Sequence, residues 1–327
     1  VTNPTILPEA LADAVLSGER RALARAITLC ESERPLDFDA AERLLEALRP
    51  HSGGSLRLGV TGPPGVGKSS LIDALGRHAV HGGASVAVLA VDPSSQKSGG
   101  SILADKTRMS RLASEPASYI RPSPSGDASG GLSRHTREAV LICEAAGFGV
   151  VMVETVGVGQ GELAVASVVD QVLLVLQPGA GDELQGMKRG ILEVADVMVV
   201  NKADVEPERA ERAAGELRGA LALFARAVGG ATPPVLTASA VAERGVPELW
   251  SAIESRRQED RLSGRLDRRR KAGLRDWLRD EIQAAFRARF RSSERQVARF
   301  EELERLVEAG ALTPRRAALR FLESAST

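Results

Sequence analysis

The sequence predicts an α/β domain on an open, mostly parallel sheet with helices on both faces. Three observations predict it. Six short runs, LRLGV, VAVLAV, VVMVE, QVLLVL, VMVVN and PVLTAS, recur between residue 56 and about residue 254. They are continuously apolar rather than alternating, as in parallel strands covered on both sides. Helical stretches such as SSLIDALGRHAV and RHTREAVLICEAAG lie between them, and the first run passes through a glycine-rich turn into a helix.

Taken in chain order, three regions separate: a helical arm over 1–54, the α/β domain over 55–255 and a helical extension over 256–327. In the arm, EALADAVLSGERRALARAITLCE repeats apolar residues at three and four, and AAERLLEAL follows a Pro-Asp break. In the extension, nineteen Lys and Arg face twelve Asp and Glu. Leu274, Leu278, Ile282 and Phe286, then Phe290, Val297, Phe300 and Leu303, fall at helical spacing, and Thr313-Pro314 starts a last helix. With Trp277 this apolar stripe is too large to leave in water, so it packs on the core or on a second subunit. Equal totals of 43 basic and 43 acidic residues give no general attraction to nucleic acid or membrane. Cys30 and Cys143 lie in apolar runs without metal-ligand spacing and read as buried reduced thiols. No apolar run approaches the roughly 18 residues of a membrane span, and the first residues lack signal-peptide character, so a cytoplasmic protein is expected.

The turn is Gly62-Pro63-Pro64-Gly65-Val66-Gly67-Lys68-Ser69, a GxxxxGK[ST] match between a predicted strand and a predicted helix that opens with Ser69-Ser70. Such glycines let backbone N–H groups converge on phosphate oxygens; Lys68 reaches the β/γ-phosphates and Ser69 binds Mg²⁺. The domain is therefore expected to be a P-loop NTPase. Asn201-Lys202-Ala203-Asp204 closes the strand VMVVN. A carboxylate at Asp204 can accept from guanine N1–H and the 2-amino group, donors that adenine lacks there. The stem of Lys202 can lie along the base. Ser239-Ala240 ends PVLTAS, where a backbone N–H near Ala240 could meet guanine O6. GTP is thus preferred to ATP.

Glu154-Thr155-Val156-Gly157 stands where a GTPase carries the carboxylate and glycine that answer to Mg²⁺ and the γ-phosphate. The carboxylate is Glu, and Val158 replaces the Gln that orients water in Ras-type enzymes, so slow intrinsic hydrolysis is expected. The segment VDPSSQKSGGSILADK, with Asp92 and Asp105, suits either a solvent loop or a mobile segment that brings carboxylates to a metal. Pro178–Gly190, glycine-bounded, is a candidate to present Lys188 or Arg189 to the γ-phosphate.

With GPPGVGKS, VDPSSQKSGGSILADKTRM, ETVGVGQGE, PGAGDELQGMKRGILE and NKAD, the chain resembles the MeaB/ArgK family. These SIMIBI-class GTPases chaperone adenosylcobalamin-dependent methylmalonyl-CoA mutase. The resemblance implies a helical arm, a G-domain and a C-terminal extension through which members dimerise. It implies that Lys68 and Ser69 hold phosphate and Mg²⁺, with Asp92, Asp105 and Glu154 around the metal, and that Asn201, Lys202 and Asp204 read guanine. Residues 92 to about 108, 154 to about 162 and 178–190 become three switches, the last facing the mutase. The implied partner is methylmalonyl-CoA mutase or a related cobalamin-dependent acyl-CoA mutase; GTP/GDP and Mg²⁺ are the cofactors. Older descriptions of the family as a transport-system ATPase for basic amino acids conflict with the guanine box.

Three rivals fit the residues less well. A nickel- or zinc-delivery GTPase of the same class would carry a His-rich tract or a Cys-x-Cys-Cys cluster, whereas the four histidines here (His51, His78, His81, His135) are scattered. A nucleic-acid or ribosome-associated GTPase is suggested by the arginine-rich extension, but acidic residues are interleaved there and stacking aromatics are few. Direct cobalamin binding lacks a DxHxxG pattern.

Overall fold

The computed structural model describes residues 7–32, 34–92, 109–124, 134–155, 164–179, 189–228, 232–291 and 294–325. Among them, seven strands form one parallel sheet. They are β1 (Leu56–Thr61), β2 (Val86–Asp92), β3 (Ser118–Pro124), β4 (Val150–Glu154), β5 (Gln171–Leu176), β6 (Val197–Val200) and β7 (Val235–Thr237), in spatial order β3-β2-β4-β1-β5-β6-β7. The fold is that of a P-loop NTPase, as the sequence predicts. Strand β2 does not border β1; β4 lies between them, with Glu154 level with Val60 on one side and Ala90 on the other. β1, β2, β4 and β6 all point their C-terminal ends to one edge, so Gly62, Asp92, Glu154 and Asn201 emerge together.

The sequence reading missed β3. Its SYIRPSP carries Pro122 and Pro124, which cannot donate to a ladder, and it pairs with β2 alone as an edge strand, where proline is tolerated.

Side chains alternate between two cores. Leu56, Leu58, Val60, Val86, Val88, Val150, Met152, Leu173 and Val175 pack on one face. Against them lie α4 (Lys68–His81), the short α5 (Ser110–Ala113) and α9 (Val246–Leu262). On the other face Ala87, Leu89, Val151, Val153 and Val172 meet α6 (Arg134–Ala145). Leu174, Leu176, Met198 and Val200 meet α7 (Arg189–Val194) and α8 (Pro207–Val228). The arm forms α1 (Pro8–Leu16), α2 (Arg20–Cys30) and α3 (Pro35–Leu48). Its Leu11, Val15, Leu23, Ile27, Leu44 and Leu48 join the α6 core, a further layer on that face. Cys30 and Cys143 are buried thiols, and burial pushes the Cys143 thiol up to about 12.

Two compact units are present, Val1–Gly273 and Leu274–Thr327. Residues 256–273, which include the start of α10 (Arg265–Arg291), lie within the first unit because arginines there seize acids at the N-terminal ends of the strands. Arg270 donates to both oxygens of buried Asp170 (2.7 and 2.6 Å) and to Ser55 O (2.9 Å). Arg265 and Arg269 hold Asp196 at 3.2 and 2.6 Å. Arg270→Ala would leave the buried Asp170 carboxylate without its salt-bridge partner. It should cost roughly 3–5 kcal/mol in denaturant unfolding of the full chain. Arg279→Ala, at an exposed pair with Asp276, should cost under about 0.5 kcal/mol.

In the second unit, α11 (Glu294–Glu308) and α12 (Pro314–Ala325) pack on each other through buried Leu303 and Ala317, with Phe300 edge-on to Phe321 at 6.0 Å. Leu274, Leu278, Ile282 and Phe286 of α10 are 47–60% exposed. No described helix is long and apolar enough to cross a membrane.

Candidate nucleotide site

The site begins where β1 ends. Gly62 (φ 146°) passes so close to β5 that a β-carbon would stand 2.0 Å from Val175 O, and Gly67 (φ 91°) caps α4 where a β-carbon would meet Asn201 Nδ2 at 2.7 Å. These two positions force the turn GPPGVGKS to use glycine. Between them, Pro63, Gly65 and Val66 carry the chain round. Lys68 then folds back over the turn and donates from Nζ to Gly62 O (2.9 Å) and Pro63 O (3.1 Å). Its ammonium is thereby held at the α4 N-terminus, where helix dipole and converging N–H groups favour an anion.

Ser69, the next residue, donates to Glu154 Oε1 at 2.7 Å, which joins the turn to the end of β4. Beside this pair Thr155 Oγ1 donates to Thr61 Oγ1 at 2.9 Å, both residues buried. A hydroxyl and a carboxylate in contact at a phosphate edge fit a small hard cation that keeps water and phosphate oxygens as its other ligands. Among the described residues no group of three His, Cys, Asp or Glu side chains gathers.

The strand ends on the far side of β1 build the base half. Asn201 is 2% exposed. Its Nδ2 donates to Val66 O at 2.9 Å and its Oδ1 accepts from Ala240 N–H at 3.1 Å. The expected guanine-reading side chain is thus a strut between the phosphate turn and the base turn, and of the backbone N–H groups near guanine O6 in that expectation, the one of Ala240 is given to it. The reason is burial: an amide this enclosed must satisfy both ends within the protein. Lys202 sits in the left-handed region (φ 61°), and its Nζ donates to Gln177 Oε1 at 3.1 Å. Asp204 is half-buried. The Ser239 hydroxyl, then a backbone hydrogen bond, hold its carboxyl below the usual 3.8, and the charge of Arg244 adds to this. Ser239 itself is buried and accepts from Ala242 N–H at 3.0 Å, which closes the turn that follows β7.

The structure therefore brings Gly62, Pro63, Gly65, Val66, Gly67, Lys68, Ser69, Ser70, Glu154, Asn201, Lys202, Asp204, Ser239 and Ala240 to one edge of the sheet. Asp92 reaches that edge as the last residue of β2. Asp105, Gly157, Val158 and Lys188 lie outside the described residues. Sequence reasoning missed Thr61, Gln177 and the strut role of Asn201. Thr61 and Gln177 directly flank predicted strand ends, but which partner each meets depends on strand order.

Residues 23–295 match the model of a family described as "Methylmalonyl Co-A mutase-associated GTPase MeaB". A "Probable GTPase" of Mycobacterium tuberculosis is 51% identical over 97% of this chain and 95% of its own length. The "Methylmalonic aciduria type A homolog, mitochondrial" of Mus musculus is 39% identical over 95% of this chain and 77% of its own. The crystal structure of an "LAO/AO transport system kinase" superposes with a TM-score of 0.76, 36% identity and full coverage of both chains. A phosphate turn and a base turn joined on one sheet edge, matched nearly end to end by such relatives, lead to one conclusion: the chain is a guanine-nucleotide-binding GTPase and belongs to the MeaB family.

Proposed function

We propose that this GTPase is a chaperone of an adenosylcobalamin-dependent methylmalonyl-CoA mutase, or of a mutase acting on a related acyl-CoA. Its nucleotide state gates cofactor loading and protects or reactivates the mutase. The observation that carries the reading is the family match over residues 23–295, whose description names association with that mutase. The name of the mouse relative points the same way.

In this reading water adds to the γ-phosphorus as the bond to the β–γ bridging oxygen breaks, giving GDP and inorganic phosphate. Lys68 carries positive charge to the β/γ-phosphates. Ser69 and Glu154, joined at 2.7 Å, would hold Mg²⁺ with Asp92 and Asp105, and Gly157 would meet the γ-phosphate. When bound, the ion draws charge from the phosphate oxygens. Asp204 accepts from the guanine edge, the Lys202 stem lies along the base, and Asn201 keeps both halves of the site in register. The exposed stripe Leu274, Leu278, Ile282 and Phe286 supports a homodimer formed through the C-terminal extension.

Phosphate release by the chain alone and with candidate mutases tests the proposal, repeated with Lys188→Ala. The expected result is stimulation by one mutase that the variant loses. No complex and no rate change with any mutase would sink the chaperone reading; retained stimulation in the variant would remove Lys188 from it.

A further inference from the structure

Helix α4 carries more than the phosphate turn. Ser69, Asp73, Gly76 and Arg77 stand at i, i+4, i+7 and i+8 and so share one face of it. Ser69 reaches Glu154. One turn on, Asp73 is 3% exposed, and its two oxygens accept from Leu112 N–H and from Arg111 Nε, both at 2.9 Å. At Gly76 a β-carbon would stand 2.5 Å from Leu112 Cδ2, so the missing side chain is what seats Leu112. Leu112 and Met109 are fully buried. From the start of β3, the Ser118 hydroxyl donates to Leu112 O at 2.5 Å. Farther along the same face Arg77 donates to Glu243 at 2.6 Å, and Arg111 donates to the same oxygen at 2.7 Å. Glu243 belongs to the turn that Ser239 and Arg244 close, beside Asp204.

A carboxylate is a costly choice among Leu71, Ile72, Ala74 and Leu75, all buried on this helix. An apolar side chain would serve packing better, but it could not cap the backbone at Leu112 or pair with Arg111. The segment so fixed, Met109–Ala113, directly follows the 93–108 stretch that carries Asp105.

We propose that Asp73 is a positioning residue for GTP hydrolysis. It fixes Met109–Ala113, the residues that follow 93–108 in the chain, on the same helix face that presents Ser69, and through Arg111 it joins them to Glu243 of the base turn. The inference rests on the GTPase reading and on 93–108 serving the metal and γ-phosphate. GDP binding uses the P-loop and base turn, and Arg77 still holds Glu243 of that turn at 2.6 Å when Asp73 or Arg111 is lost, so GDP affinity is expected to change little.

The test uses the full chain: single-turnover GTP hydrolysis across a magnesium series, and GDP affinity, for wild type, Asp73→Ala, Asp73→Asn and Arg111→Ala. Asp73→Ala should slow hydrolysis about tenfold and raise the magnesium needed for half-maximal rate, with GDP affinity within about twofold. Asp73→Asn, which keeps an acceptor for Leu112 N–H, should recover most of the rate. Arg111→Ala, at a half-exposed position that should not endanger folding, should show the same split at about threefold. GDP affinity falling in step with rate would make the network structural only, and unchanged rates in all three variants would remove Asp73 from the reaction; either overturns the proposal. A wild-type chain that hydrolyses no GTP would instead overturn the GTPase reading, and this inference with it.

Discussion

Asp204→Asn is expected to weaken GTP binding about a hundredfold to a thousandfold and to raise affinity for xanthosine triphosphate. A site built to accept two guanine donors discriminates strongly when an acceptor is lost. Asp204 is half-buried, which keeps the expected effect below that of a fully enclosed pocket. An asparagine amide offers one acceptor and two donors. It therefore opposes the guanine 2-amino group and suits the carbonyl that xanthine carries there. Calorimetric titration of both nucleotides against both proteins checks this; equal loss for the two bases would mean a damaged turn rather than an altered reader. The pH dependence follows from the direction of the shift. With the Asp204 carboxyl held below its usual 3.8, chiefly by Ser239, the ionised acceptor is present at and above the ordinary carboxylate range. It is lost only as pH falls through the lowered value. Ser239→Ala should move that loss of GTP binding upward in pH.

Lys68→Ala should lower the hydrolysis rate about a hundredfold to a thousandfold, the scale of removing one preorganised donor to developing charge. In the structure Nζ already sits against Gly62 O and Pro63 O, so little motion is needed before it can meet a phosphate. Lys68→Arg is not a conservative rescue, because a planar guanidinium does not fit a slot shaped for a compact ammonium. Single-turnover rates at saturating GTP separate lost chemistry from lost binding. A rate within about threefold of wild type would deny Lys68 its place at the phosphate.

The fold was legible wherever pattern alone decides it. Six of the seven strands announce themselves as unbroken apolar runs because both faces of the sheet are covered. β3 was illegible because an edge strand need not look like a buried one, and Pro122 and Pro124 argue against a ladder that is satisfied from one side only. The phosphate turn and NKAD could be read because their chemistry is local in sequence. The strut formed by Asn201 could not, since Val66 and Ala240 lie far from it along the chain and meet it only through the order β1-β5-β6-β7. Asp73 was hidden for the same reason. On an amphipathic helix a lone acid reads as a solvent-facing residue until Leu112 is found over Gly76. Arg270 and Asp170 stand a hundred positions apart and look like two ordinary surface charges in the sequence.

The most direct measurement is single-turnover phosphate release from GTP by the purified chain, alone and across a concentration series of a cobalamin-dependent acyl-CoA mutase. The account predicts a slow basal rate, consistent with Val158 in place of a water-orienting glutamine, and a saturable rise with mutase. Turnover of many GTP per second without a partner, or a rate that no mutase changes at any concentration, would contradict it.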